Sequence, residues 1–171
     1  MNNYTILSEN SSDHWPYFNV LNKTVLDIGC GIWYTEDMEE TSPIYFAKSA
    51  NFVVGIDSNP DDILKYQNYT RGSSKYKFIT HNINEANIIR NLIHEYNITA
   101  LKCDIEGHEA HLLDLTLEDT ENITDIAIEF HTDVLKESFM KKIPEWGFSI
   151  HCVAKFVNTS PNLGVIFGRK D

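Results

Sequence analysis

With 171 residues the chain is long enough for one domain with a sizeable buried core, and its 42% hydrophobic and 12% aromatic content is that of an ordinary globular protein. A formal net charge of -11, from 25 acidic against 14 basic residues, disfavours nucleic acid or an anionic membrane surface as partner, because both are held through clustered Lys and Arg. Three cysteines, Cys30, Cys103 and Cys152, lack the short spacings of a zinc knuckle or redox pair and read as free thiols of a reducing compartment.

The stretch Met1–Tyr17 is polar and shows no basic region followed by an apolar run, so a leader is not expected, and the chain is read as soluble and cytoplasmic. Residues 1–22 form an N-terminal extension that could cover a substrate, and 1–171 are read as a single domain. The first strand is Thr24–Ile28, rich in branched residues, and it runs into Gly29-Cys30-Gly31. Pro43–Ser49 reads as a helix with Ser42 as N-cap. Phe52–Ile56 is a strand ending at Asp57, and Pro60–Tyr69 opens with Pro and two acids, as a helix start does. Lys75–Thr80 is a third strand, and Glu85–Tyr96 is a helix with Ile88, Leu92 and Tyr96 at helical spacing. Ile98–Cys103 is a fourth strand, followed by a helix over about Gly107–Leu115. Asp125–Phe130 is a fifth strand, and Val134–Trp146 a helix closed by Gly147. Two last strands, Phe148–Phe156 and Leu163–Arg169, flank turn residues Asn158–Asn162 and predict an antiparallel hairpin. The expected fold is α/β and Rossmann-like, with a central, mostly parallel seven-stranded sheet, a C-terminal antiparallel hairpin and helices on both faces. A closing antiparallel pair, in place of further parallel crossovers, is the arrangement of class I methyltransferases.

Asp27-Ile28-Gly29-Cys30-Gly31 ends the first strand, where glycines permit a tight turn and close approach to a ligand. Asp57 ends the next strand, where a carboxylate can accept hydrogen bonds from ribose hydroxyls; Ser58 follows it. Together these point to a nucleoside. A dinucleotide site would carry a third Gly three residues after the second, and here Tyr34 stands there. The loop Ile32–Ser42 is acidic, with Glu36, Asp37, Glu39 and Glu40, which suits a cationic sulfonium better than a pyrophosphate. S-adenosyl-L-methionine is therefore the expected cofactor, bound by Asp27, Gly29, Cys30, Gly31, Asp57, Ser58, Asn82 and Asp104, with Asn82 beside the adenine.

The run Leu101-Lys102-Cys103-Asp104-Ile105-Glu106-Gly107-His108-Glu109 resembles the Lys-X-Asp-(Ile/Val)-Glu-Gly-X-Glu signature of FkbM-type methyltransferases. Ile128-Glu129-Phe130-His131 is similar to that family's Glu-Phe-His motif, and Val54–Pro60 to its ribose-binding strand end. The resemblance runs from Val25 to Arg169. It implies O-methylation of a hydroxyl on a sugar or another small or extended acceptor. The chain departs from many relatives in its short N-terminal region, which leaves few residues to cover a substrate.

Asp104, Glu106, Glu129 and His131 come from the ends of adjacent strands and are expected to converge as catalytic residues. His131 is the candidate general base, oriented by Glu129 or Glu106. A divalent cation held by Asp104 with Glu129 or His131 is the less favoured route, because the sequence names no three clean ligands. Glu106 and Glu109 could instead only favour a helix start, Lys102 is expected to snorkel or to pair with an acid, and the histidines other than His131 are read as ordinary. Acceptor contacts are expected from His14, Trp15 and Tyr17, from Trp33 and Tyr34, and from the stretch after His131; an open site of this kind could be completed in a homodimer. Two rivals are a ribose-directed nucleic-acid methyltransferase, which meets the acidic charge, and a non-catalytic module that keeps the fold.

Overall fold

The computed structural model describes residues 5–9, 15–32, 37–156 and 162–170. Runs of branched and apolar residues form the strands at its centre: β2 (Thr24–Ile28), β3 (Phe52–Asp57), β5 (Ala100–Cys103) and β6 (Asp125–Phe130). They are buried almost throughout, as parallel strands covered on both faces must be. With β1 (Thr5–Glu9), β4 (Tyr76–Thr80), β7 (Ser149–Phe156) and β8 (Gly164–Arg169) they make an eight-stranded sheet in the order β1-β7-β8-β6-β5-β2-β3-β4. All pairings are parallel except those of β8, which runs antiparallel to both β6 and β7. The seven expected strands are therefore all present, with the expected closing antiparallel pair.

Alternate residues of each strand serve opposite faces. Leu26, Ile28, Ile126 and Ile128 pack with Ile89, Leu92 and Ile93 of α3 (Ala86–Tyr96) and Phe139 and Ile143 of α4 (Asp133–Glu145). On the other face Val25, Ala100 and Ala127 pack with Phe46 and Ala47 of α1 (Ser42–Ala47). Ile63 and Tyr66 of α2 (Pro60–Tyr69) join Ile44 of α1 around Cys30 on that side. The helices start and stop where local chemistry dictates. Asn59 Oδ1 caps α2 by accepting from the Asp61 N–H (3.0 Å), with Pro60 at the first turn. Thr132 Oγ1 caps α4 by accepting from the Leu135 N–H (3.1 Å), and Gly147, at φ 84°, follows its last turn.

Three local expectations change. The N-terminal extension contributes an eighth strand, β1, paired parallel to β7 at the sheet edge. A five-residue edge strand has one neighbour, so its sequence signal is weak. Further on, Trp15 and Phe18 set their rings edge-on to Phe46, with centroids 5.1 and 5.3 Å apart, and the described residues of the extension do not line the cleft described below. The cap of α1 is Thr41 rather than Ser42, whose hydroxyl is engaged elsewhere. After β5 the expected helix is a short 3-10 turn, Glu109–Asp114, because Glu106 and Gly107 adopt φ values of 52° and 95° and interrupt any helix start. Trp33, Tyr34, Glu36, His14 and most of the turn before β8 lie outside the described residues. Among the described residues no helix is long and apolar enough to cross a membrane.

Candidate active site

The carboxyl ends of β2, β3, β5 and β6 meet at one rim. There Gly29 leaves β2 at φ 74°, and its N–H donates to the Ile56 carbonyl of β3 (2.9 Å). A Cβ at this position would stand 1.5 Å from the Asp104 carbonyl oxygen, so the backbones approach as only glycine permits. Helix α2 locks the loop from behind. The Tyr66 hydroxyl donates to the Cys30 carbonyl (2.7 Å), and Asp62 Oδ2 accepts from the Ile32 N–H (3.2 Å) and from Asn59 Nδ2 (3.0 Å). Asp57 ends β3 with Oδ1 accepting from the Asn59 N–H (2.8 Å).

A cleft of about 250 Å³ opens over these strand ends. Gly29, Asp57, Ser58, Asn82, Asp104 and Glu106 line it, together with His81 and His108, two histidines that the sequence led us to read as ordinary. The other three expected cofactor residues stand back from it. The Cys30 side chain is buried among Ile44, Ile63, Tyr66 and Phe78, and Gly31 is not part of the cleft wall. Asp27 is fully buried beneath the glycine turn, where it accepts from the Ser42 hydroxyl (2.6 Å) and lies 3.0 Å from Lys102 Nζ.

Lys102 is the residue whose function the sequence understated. Asp27 and Lys102 stand opposite each other in the β2–β5 register, and Lys102 is 4% exposed. Its ammonium donates to the Gly29 carbonyl (2.8 Å) and lies 3.8 Å from Asp104 Oδ2. Burial works against the charge, but Asp27 and Asp104 outweigh it and hold the lysine above its ordinary range. One buried cation thus ties the glycine turn to the acid that follows β5. The signal was available in the sequence, since a lysine inside a buried apolar strand needs an anionic partner.

The remaining side chains pair differently from expectation. Burial, then a hydrogen bond shared with Asp104, pushes the Glu129 carboxyl well above the ordinary carboxylate range and ties it to Asp104. Glu109, fully buried, stands behind His131, with Oε1 3.1 Å from His131 Nδ1. The same oxygen accepts from the N–H groups of Ile105 (2.9 Å) and Gly107 (3.3 Å). Burial opposes the Glu109 charge, but His131 and these backbone donors overcome it and lower its pKa; Glu109 in turn raises that of His131 against burial. On the other side of the ring, His131 Nε2 lies 3.3 Å from Glu106 Oε2, as expected of that pair. Asp104, Glu106 and His131 each bring a donor atom within 4.8 Å of the others.

No protein-family model matches the chain, and no curated protein matches it in sequence. Solved structures do match in fold. A Streptococcus mutans protein described as a methyltransferase, in complex with S-adenosylhomocysteine, is 14% identical with a TM-score of 0.63, over 94% of this chain and 96% of that one. Magnesium protoporphyrin IX methyltransferase from Synechocystis, with bound S-adenosylhomocysteine, is 15% identical with a TM-score of 0.58, over 90% and 76%. Fibrillarin from Aeropyrum pernix, with natively bound S-adenosyl-L-methionine, is 10% identical with a TM-score of 0.56. That match takes in 86% of this chain but 66% of fibrillarin. The chain has the Rossmann-like methyltransferase fold.

Proposed function

We propose that the chain is an S-adenosyl-L-methionine-dependent O-methyltransferase of FkbM type. The observation that carries this reading is the hydrogen bond from the Gly29 N–H to the Ile56 carbonyl, which sets the glycine turn beside Asp57 in one cleft. A turn too tight for any side chain, next to a carboxylate at the end of the neighbouring strand, suits a ribose bound flat against backbone. Asp57 would accept from the ribose hydroxyls, Ser58 and Asn82 would face the adenosine, and Gly29 with Asp104 would bound the methionyl side. When bound, S-adenosyl-L-methionine supplies a methyl group on a cationic sulfonium.

The acceptor is proposed to be a hydroxyl on a sugar or another small or extended molecule. Four residues of the Lys102–Glu109 signature that resembles the FkbM type have structural tasks that support this reading. Lys102 braces Asp104 and the glycine turn, Glu106 and Gly107 supply the two positive-φ positions of the loop, and Glu109 holds His131. His131, Asp104 and Glu106 are the groups that would activate a hydroxyl, by taking its proton or polarising its oxygen. Lys102, Glu109 and Glu129 would position them.

Calorimetric titration of the full chain with S-adenosyl-L-methionine tests the reading. Binding is expected, with Asp57→Ala weakening it about tenfold or more, the loss of hydrogen bonds from a buried carboxylate. No heat at high micromolar ligand would leave only the non-catalytic module.

A further inference from the structure

Asp104 follows β5, His131 follows β6, and Glu106 sits in the loop between the first of these and the 3-10 turn. The 3.3 Å from His131 Nε2 to Glu106 Oε2 is close to the separation of two adjacent ligands on an octahedral ion, about 3 Å for bonds of roughly 2.1 Å. All three donor atoms already lie within 4.8 Å of one another, so a small closure would complete the set.

What distinguishes this cluster from a patch of surface acids is the group behind it. Glu109 is 0% exposed, and its Oε1 lies at ion-pair distance, 3.1 Å, from the far nitrogen of the imidazole, Nδ1. A carboxylate this close to Nδ1 leaves Nε2 as the nitrogen that faces the cluster, the orientation in which metal-binding imidazoles are held. Glu109 Oε2 and His131 Nδ1 are both buried without a hydrogen-bond partner, so the negative charge behind the cluster is not fully satisfied by the protein. Lys102 answers little of it. Its ammonium lies nearer to Asp27 (3.0 Å) and the Gly29 carbonyl (2.8 Å) than to Asp104 (3.8 Å).

We infer that Asp104, Glu106 and His131 bind a divalent cation beside the cleft, with Glu109 as the outer partner of His131. Two hard carboxylates and one imidazole suit an ion of the Mn2+ kind, and three protein donors leave positions for water or an acceptor's oxygens. The use of that ion, to polarise the acceptor hydroxyl, rests on the methyltransferase reading above; its binding does not.

The test is titration of the full chain with Mn2+ alone, followed by the electron paramagnetic resonance signal of the free ion. One equivalent is expected to be taken up. Glu106→Gln, at a side chain 62% exposed and so harmless to the fold, is expected to weaken binding about tenfold or more, and His131→Gln likewise. Glu109→Gln is expected to weaken it about 10- to 100-fold while the protein stays folded by circular dichroism. Undiminished free signal at millimolar Mn2+, or uptake that Glu106→Gln and His131→Gln leave unchanged, overturns the inference. No nucleoside is present in this titration, so its failure leaves the calorimetric result standing, and the reverse holds too.

Discussion

Around the cleft, the ends of β2 and β3 offer backbone and one capped carboxylate, whereas those of β5 and β6 offer Asp104, Glu106, Glu129 and His131. In the first half the chain approaches itself so closely at Gly29 that recognition depends on shape. In the second half the loop is partly open and carries its information in charge and proton placement. The difference teaches where tolerance lies. Changes in the first half should cost folding stability, while changes in the second should cost chemistry and spare the fold. Lys102 belongs to both, which makes it the sharpest place to break the comparison.

The largest effect is expected from Lys102→Met. It leaves Asp27 buried without its counter-ion, a loss of about 3–5 kcal/mol in urea unfolding. A loss below about 1 kcal/mol would mean that the two halves are not bound through this ion. Next is Gly29→Ala, where a Cβ would meet the Asp104 carbonyl and a φ of 74° disfavours alanine; about 3 kcal/mol is expected in the same measurement.

Asp119, outside the cleft, sets a baseline for a carboxylate whose work is purely structural. It accepts from Arg90 Nε (2.7 Å) and from the Thr116 N–H (2.8 Å). Burial alone would raise its pKa, but these partners outweigh burial and lower it below 3.8. A depressed carboxylate contributes stability above its unfolded value and loses it as pH falls through the folded one. Asp119→Asn should therefore cost about 1–2 kcal/mol at neutral pH, with the gap from the parent protein closing below pH 3.8. Equal gaps at pH 7 and pH 2 would remove the charge from the explanation. The smallest effect should come from the second half. Glu106→Gly relieves a left-handed non-glycine residue and is expected to raise stability by about 1 kcal/mol while lowering Mn2+ affinity. A loss of stability there would contradict the division between the halves.

The sequence by itself determined the strands, their order of chemistry along the chain and the residues that stand at their ends. An apolar strand running into Gly29, the next ending at Asp57 and the fourth leading to Asp104 are local patterns, and each side chain's period follows from its own segment. Which buried groups are partners was decided only by the tertiary structure. Asp27 meets Lys102 through the β2–β5 register, across 75 residues, and Glu109 rather than Glu129 meets His131 because a positive-φ loop folds its carboxylate back. The same holds for β1, whose few residues become a strand only because the exposed edge of β7 is there to receive them. Pairing energies depend on distances between segments far apart in the chain, and a linear pattern carries the donors and acceptors without carrying those distances.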